Sequence, residues 1–243
     1  MITAIIPTRF ASSRFEGKPL ALILKKPMVQ WVYERAMASS ILANVVVATD
    51  DKRIFDAVVS FGGNAVKTSS QNRTGTDRVA EAAEKLGLSW DDVVVNIQGD
   101  QPLIDPQSID DVVRPFFENP ELEMSTLGFP IVNQREITDP KDVKVTFDAQ
   151  GYALYFSRSR IPCPRDSDSI FQTYKHLGIY AYTRRFLEKF RKLPEGRLEQ
   201  IEKLEQLRAI EHGHRIKVVV TRFDSPEVDL PEDILRIERC VTA

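Results

Sequence analysis

The chain has 243 residues, with 33 Lys and Arg against 35 Asp and Glu, a net charge of −2, and 42% hydrophobic residues. This length and composition are typical of one globular domain, and the near-neutral charge argues against nucleic-acid binding or an anionic-membrane surface as the main function. Because the sequence contains neither a long apolar run nor a basic, cleavable N-terminal segment, we expect a cytoplasmic protein without a membrane span.

Strand and helix signals alternate along the first 130 residues. Strands are predicted where short β-branched runs stop at polar residues or proline, and helices where apolar residues recur every three or four positions. The predicted order is strand 3–7, a helix from 27 through 36, strand 45–49, a helix closing at 62–63, a third strand up to 67, helix 77–86 and strand 93–97.

This alternation predicts an α/β fold with a mainly parallel central sheet and helices on both faces. Ligands bind such sheets at the carboxyl ends of the strands. The loops 8–18, 68–76 and 98–102 each follow a strand, so we expect them to meet at one edge of the sheet.

The pattern changes at about residue 123 to consecutive strands without long intervening helices. We predict strands 124–131, 143–147, 152–156 and 177–182, then helices 184–192 and 198–211, strand 216–220 and a final helix starting at Pro231. The interpretation is a single domain, 1–243, with an α/β part at about 1–122. An antiparallel β insertion at about 123–183 could form a lid or a subunit contact.

The loop after the first strand carries three cations, Arg9, Arg14 and Lys18, together with Ser12 and Gly17. Cations that neutralise charge, beside small residues that let backbone N–H groups approach, suit a polyphosphate. The spacing excludes a Walker P-loop, and a solvated surface loop is the alternative.

Two aspartates are candidates for a divalent cation. Asp100 follows the strongly β-branched strand 93–97, and Asp229 lies shortly before the final helix. Hard cations such as Mg²⁺ take carboxylate oxygens together with substrate phosphates. For both residues the alternative is capping of a turn or helix.

Gly75, Thr76 and Arg78 lie around the predicted start of a helix. They suit recognition of a base or ribose, and a capped helix start is compatible with that role. Arg158 and Arg165 follow an aromatic strand, and His176 begins another. The arginines could hold a planar carboxylate, whereas the histidine points either into a cleft or into the core.

In the predicted helix 198–211, Ile201, Leu204 and Leu207 form an apolar stripe. The polar residues between them indicate a solvated, ion-paired face, and this is the interpretation that the residues alone favour. These polar residues are Glu202, Glu205, Gln206 and Arg208.

Taken together and in order, several motifs resemble one family, the cytidylyltransferases that activate 3-deoxy-manno-octulosonate (Kdo). They cover the chain from end to end. The motifs are RFASSR at 9–14, GKPL at 17–20, VATD at 47–50, GTDR at 75–78, QGD at 98–100, ALYFSR at 153–158, HLGIY at 176–180, LEQLR at 204–208, VD at 228–229 and PED at 231–233.

The resemblance implies a Rossmann-like nucleotidyltransferase fold, with a nucleotide-binding part at about 1–122 and a sugar-binding or dimerisation insertion at about 123–183. It also implies transfer of a cytidylyl group from CTP to the anomeric hydroxyl of Kdo. Pyrophosphate is released, Mg²⁺ is the cofactor, the enzyme is a homodimer, and the product serves lipopolysaccharide biosynthesis. It further implies that Arg9, Ser12, Arg14 and Lys18 bind the triphosphate, Gly75, Thr76 and Arg78 the cytidine, Asp100 and Asp229 the metal, and Gln98, Arg158, Arg165, His176, Tyr180, Glu205 and Gln206 the sugar acid.

Three positions, Glu16, Cys163 and Leu230, depart from the pattern common in the family, and they leave sugar specificity open. The 8-amino analogue of Kdo is therefore an alternative acceptor, as is the sugar acid of a related CMP-sugar synthetase. Three further classes compete with this interpretation: a nucleotidyltransferase acting on a sugar 1-phosphate, a metal-dependent glycosyltransferase and a catalytically silent nucleotide-binding protein. The missing Asp-x-Asp pair at Asp100, where Gln98 takes the first position, argues against the glycosyltransferase.

Overall fold

A computed structural model describes residues 1–11, 14–166 and 171–242. The strands of this part are β1 Ile2–Thr8, β2 Leu22–Ile23, β3 Lys26–Pro27, β4 Asn44–Thr49, β5 Ala65–Lys67, β6 Val93–Asn96, β7 Met124–Pro130, β8 Lys144–Phe147, β9 Ala153–Ser157, β10 Tyr174–Thr183 and β11 Lys217–Val220. The helices are α1 Met28–Met37, α2 Lys52–Ser60, α3 Gly75–Lys85, α4 Pro106–Val113, α5 Pro115–Glu118, α6 Gln134–Thr138, α7 Arg184–Phe190, α8 Arg197–Glu202, α9 Leu207–Glu211 and α10 Asp233–Thr242.

The central sheet has the strand order β11-β7-β10-β6-β1-β4-β5. The pairs β11–β7, β6–β1, β1–β4 and β4–β5 are parallel, and only β10 runs antiparallel to its neighbours β7 and β6. The predicted α/β class with a mainly parallel sheet is therefore confirmed.

The strand-rich segment that begins near residue 123 contributes to the central sheet as well as extending it. Strands β7 and β10 lie in the middle of the sheet, whereas β8 and β9 form an antiparallel hairpin attached through β8 to β10. Because β10 is antiparallel, its first residues lie at the same edge as the carboxyl ends of β6 and β1. The beginning of β10 thus reaches the edge at which ligands are expected.

Alternating residues of β1 point to opposite faces of the sheet and into two apolar cores. Ala4 and Ile6 pack with α1, α2 and α4 on one face, and Ile5 packs with α3, α7 and α9 on the other. Helices therefore cover both faces, as predicted. No helix in the described ranges has the length and apolar character needed to cross a membrane.

The predicted helix 198–211 is wrong as a single helix. It is two short helices, α8 and α9, because Lys203 adopts a left-handed conformation with φ 54°. Arg208 makes a buried, two-pronged ion pair with Glu199, at 2.5 and 2.7 Å, and these contacts between α9 and α8 hold the helices together. Ile201, predicted in the apolar stripe, is 67% exposed, whereas Leu204 and Leu207 are buried.

Candidate active site

The three predicted loops meet at the carboxyl edge of the sheet and line a cavity of about 270 Å³, here called the first cavity. Its walls are residues 7–9, 14, 18–19, 72–75, 78 and 98–100. A second cavity of about 720 Å³ opens beside it, between the start of β10, the α6 region and the segment from β11 to α10. Arg14 and Asp100 line both cavities, so the two spaces join at these residues.

Lys18 holds a central position at this junction. Its Nζ donates to Asp100 Oδ2 at 2.6 Å and to the carbonyl oxygen of Val228 at 2.9 Å. The side chain is only 15% exposed, so its charge is weakly screened. One ammonium group therefore links the N-terminal loop to the loop after β6 and to the segment after β11.

A second ion pair joins Arg14 Nη1 to Asp229 Oδ2 at 2.9 Å. The side chain of Asp229 does not cap the final helix; instead the Asp233 carboxylate accepts from the backbone N–H groups of Asp229 and Leu230. Asp100 and Asp229, which are distant in the chain, both line the second cavity. The fold thus brings the two expected metal ligands into one cavity, beside two of the expected phosphate-binding cations.

The remaining residues expected at the triphosphate are placed as follows. Arg9 is exposed, lines the first cavity and has no ion-pair partner among the described residues. Ser12 lies outside the described residues. Gly75 begins α3 on the opposite wall of the first cavity, where an added Cβ would lie 3.6 Å from Pro7 Cγ.

The beginning of α3 is both capped and part of the cavity, so the two interpretations of this segment hold together. Thr74 Oγ1 accepts from the Asp77 backbone N–H at 3.1 Å. Arg78 is 4% exposed and donates to Thr68 Oγ1 at 2.5 Å, with Asp50 at 3.3 Å. Arg78 is thus a rigid, pre-oriented cation at the inner wall of the first cavity.

Gln206 is buried and Glu205 is half-buried, so the solvated face predicted for this segment is wrong. Thr76 Oγ1 donates to Glu205 Oε2 at 2.5 Å, and burial raises the pKa of the Glu205 carboxyl although this hydrogen bond opposes the shift. Glu205 Oε1, which lies 3.7 Å from Arg208 Nη2, and Gln206 Nε2 are buried and have no hydrogen-bond partner within the described part of the chain. Buried polar atoms without a hydrogen bond carry an energetic cost, so they suit groups that a ligand would satisfy.

The other residues expected at the sugar acid do not all come together. His176 and Arg158 line the second cavity, and Gln98 lines the first. Arg158 is already engaged, because Nε donates to the Glu202 carbonyl and Nη1 to the Pro140 carbonyl. Arg165 is exposed and lines neither cavity, so the structure does not place it beside Arg158 in a carboxylate clamp.

His176 and Tyr180 lie on one face of β10, with ring centroids 5.3 Å apart. Thr126 Oγ1 donates its proton to the Ile179 carbonyl at 2.7 Å, so His176 Nε2, at 2.9 Å from the same oxygen, carries a proton and donates. The Nδ1 atom is then an acceptor. Burial lowers the pKa of His176 to about 3 and raises that of Tyr180 well above its usual value.

We predict that His176 stays neutral from pH 8 down to pH 5, measured by ¹⁵N NMR of the imidazole and assigned with His176→Gln. The unfolded chain takes up this proton near pH 6.5 and the folded chain only near pH 3. Between these values the unfolded state binds more protons, so stability falls as the pH falls, by about 2 kcal/mol at pH 5 and about 4 to 5 kcal/mol at pH 3. His176→Gln should flatten that dependence, and an imidazole that titrates near pH 6.5 would contradict the assignment.

Glu227 was not among the predicted residues. Its Oε1 accepts from Gln101 Nε2 at 3.1 Å, and the recessed position of the carboxyl in the cavity wall together with repulsion by Asp100 and Asp229 raises its pKa above the ordinary value of a glutamate. Glu227 could have been found from the alternation of side chains in an extended segment. Because Val228 is buried, its two neighbours, Glu227 and Asp229, point to the same side. Asp229 was predicted as a metal ligand from its place before the final helix, whereas Glu227, two positions earlier, was missed.

The donor set fits a hard divalent cation. Asp100 and Asp229 supply carboxylate oxygens in one cavity next to Lys18 and Arg14, and Mg²⁺ commonly takes one or two protein carboxylates plus phosphates and water. Within the described residues no group of three or more His, Cys, Asp or Glu side chains is arranged to hold a metal by itself. Substrate phosphates would therefore have to complete the coordination.

A family profile described as cytidylyltransferase matches residues 3–216. The 3-deoxy-manno-octulosonate cytidylyltransferase of Desulfosudis oleivorans is 62% identical, over 98% of this chain and 96% of its own length. The 8-amino-3,8-dideoxy-manno-octulosonate cytidylyltransferase of Shewanella piezotolerans is 59% identical over 96% and 95%. A solved structure of CMP:2-keto-3-deoxy-manno-octonic acid synthetase with CTP superposes with a TM-score of 0.93 at 40% identity, covering 99% of this chain and 98% of that one.

Proposed function

Because the chain belongs to the cytidylyltransferase family and is therefore a nucleotidyltransferase, we propose that it transfers a cytidylyl group from CTP to the anomeric hydroxyl of Kdo, releasing pyrophosphate. The observation that supports this most is the junction of two cavities at Arg14 and Asp100. One cavity has the cationic walls that a triphosphate needs, and the other has room for an acceptor beside it. Reacting groups held in adjacent cavities gain much of their rate from proximity and alignment.

In this proposal the first cavity holds CTP. Arg9, Arg14 and Lys18 bind the triphosphate, with Ser12 expected beside them, and Gly75, Thr76 and Arg78 line the cytidine. Lys18 neutralises charge that develops on the α-phosphate and on the leaving pyrophosphate, which is the main requirement of phosphoryl transfer. No side chain has to form a covalent intermediate.

Asp100 and Asp229 are proposed as the ligands of Mg²⁺. When bound, the ion would lower the pKa of the acceptor hydroxyl and neutralise phosphate charge. Lys18 and Arg14 compensate these two carboxylates. When CTP binds, its phosphates would attract the same two cations, so that the carboxylates become free to bind a divalent cation.

The acceptor is proposed to bind over β10. His176 Nδ1 would accept from a sugar hydroxyl, and Glu205, Gln206, Tyr180 and Gln98 would supply further polar contacts. Arg158 is proposed to meet the carboxylate of the sugar acid. Arg165 would have to move from its exposed position to join it.

The proposed assembly is a homodimer in the cytoplasm, where CTP is made. Leu154 of β9, which is 60% exposed, and Ile201 of α8, which is 67% exposed, are apolar side chains that such an interface would bury. Sedimentation equilibrium would test this part of the proposal, since a species of 27.6 kDa at micromolar concentration would contradict it.

We predict that CTP with Kdo gives the highest kcat/KM in a coupled pyrophosphate-release assay that compares four nucleotides and three acceptors. The acceptors are Kdo, its 8-amino analogue and sialic acid. Preference for the 8-amino analogue would assign the alternative activity. A relative named for that substrate is 59% identical to this chain, so the analogue is included among the acceptors. Preference for UTP, or release without any sugar acid, would contradict the proposed reaction class.

A further inference from the structure

Glu227 lies in the segment between β11 and α10, which is tied firmly to the loop after β6. The Val228 backbone N–H donates to the Asp100 carbonyl at 3.0 Å, and Lys18 Nζ donates to the Val228 carbonyl at 2.9 Å. Val228 itself is completely buried. The backbone on the C-terminal side of Glu227 is therefore held in place at the junction of the two cavities.

The Glu227 side chain is directed by a rigid donor. Gln101 is completely buried, and its Nε2 donates to Glu227 Oε1 at 3.1 Å. Glu227 is exposed and lines the second cavity. No hydrogen-bond donor among the described residues reaches Oε2, which leaves one carboxylate oxygen free to accept from a ligand.

A glycine on β10 keeps the space beside this carboxylate open. A Cβ added to Gly178 would lie 3.6 Å from Glu227 Oε1 and 3.6 Å from Gln98 Cγ, so a larger side chain would fill the gap. His176, two residues earlier, also lines the second cavity. Glu227, Gly178 and His176 thus border one space that begins at Asp100.

An ionised carboxylate accepts hydrogen bonds and a protonated carboxyl also donates one, and the hydroxyl groups of a sugar can both donate and accept, so Glu227 can bind a sugar hydroxyl in either state. The triphosphate lies in the other cavity, and like charges would keep the carboxylate of a sugar acid away from Glu227, Asp100 and Asp229. The acceptor would therefore bind with its hydroxyl groups towards these acids and its carboxylate towards Arg158.

We propose that Glu227 binds a hydroxyl group of the sugar acid through its free carboxylate oxygen and so positions the acceptor in the second cavity. This inference rests on the proposed function, because it assumes a sugar acid there. Glu227 is then an acceptor-binding residue and not a third metal ligand, in keeping with the lack of a three-carboxylate metal group in the described residues.

The test compares Glu227→Ala and Glu227→Gln with Glu232→Ala, an exposed glutamate five positions further along the chain. Steady-state KM for Kdo and for CTP is measured for each variant, and Mn²⁺ affinity is measured by electron paramagnetic resonance with CTP present. We expect the KM for Kdo to rise about tenfold or more in Glu227→Ala, and less in Glu227→Gln. The KM for CTP and the Mn²⁺ affinity should stay within about twofold of the parent values, because the Glu227 variants lose charge-assisted hydrogen bonds to the acceptor alone.

An unchanged KM for Kdo in Glu227→Ala would overturn the inference, as would an equal loss of Mn²⁺ affinity. Glu232→Ala should match the parent, and circular dichroism with thermal unfolding checks that all variants are folded. If the parent protein releases no pyrophosphate with any sugar acid, the proposed function itself fails. That result differs from the one in which the parent is active and the Glu227 variants have the same KM for Kdo as the parent.

Discussion

Replacing Asp100 by asparagine is expected to lower kcat about a thousandfold at saturating Mg²⁺ and CTP, while CTP binding is retained. Asn keeps the shape of the side chain but removes the charge that a divalent cation needs. The same change removes a negative charge near the proposed triphosphate site and frees Lys18, which donates to Asp100 at 2.6 Å. Turnover should therefore fall far more than nucleotide affinity.

Measurement of kcat by pyrophosphate release, with CTP binding followed by calorimetry without metal, separates the two effects. Asp91→Asn is the matched control, because its side chain is 90% exposed and pairs only with Arg185 at the surface. Near-normal turnover of Asp100→Asn at saturating Mg²⁺ would remove Asp100 from the metal site. A parallel fall in CTP binding and turnover would instead indicate a role in holding the nucleotide.

Replacing Lys18 by methionine is expected to reduce kcat/KM for CTP about a hundredfold or more, through both a higher KM and a lower kcat. The ammonium is only 15% exposed, so its attraction to phosphate is weakly screened, and its loss leaves Asp100 without its present partner. Lys18→Arg should restore little of the lost kcat/KM. A planar guanidinium cannot take the place of the compact ammonium, which donates to both Asp100 Oδ2 and the Val228 carbonyl.

Lys52→Met is the control for this experiment, since Lys52 is 76% exposed and pairs with Asp56 on the surface of α2. Its kinetic constants should equal those of the parent. If Lys18→Met kept the parent kcat/KM for CTP, the assignment of Lys18 to the triphosphate would be wrong. If only KM changed, Lys18 would bind ground state and transition state equally and would not contribute to the chemical step.

The first half of the fold could be predicted because its signals are local. Runs such as 45–49 are β-branched and end at acidic residues, and β4 Asn44–Thr49 follows them closely. Parallel strands place their carboxyl ends at one edge, so loops far apart in the chain could be expected together before any coordinates. The structure confirms this expectation for Lys18 and Asp100, which line the same cavity.

The second half was harder because tertiary contacts override local periodicity there. The 198–211 segment has a good helical pattern, but the buried pair between Arg208 and Glu199 and the left-handed Lys203 break it into two helices. The same break turns Glu205 inward to Thr76. Only the motif resemblance, and not periodicity, had placed Glu205 near a ligand.

The residues alone were enough to predict the α/β class, the order of the strands and helices in the first half and the cationic loop, because these depend on residues close together in the chain. The three-dimensional structure was needed to show that Arg14 pairs with Asp229, that Arg165 is exposed and that Glu227 lines the second cavity. Such contacts join segments separated by many residues. Their geometry depends on how whole strands and loops pack, and no local pattern encodes that packing.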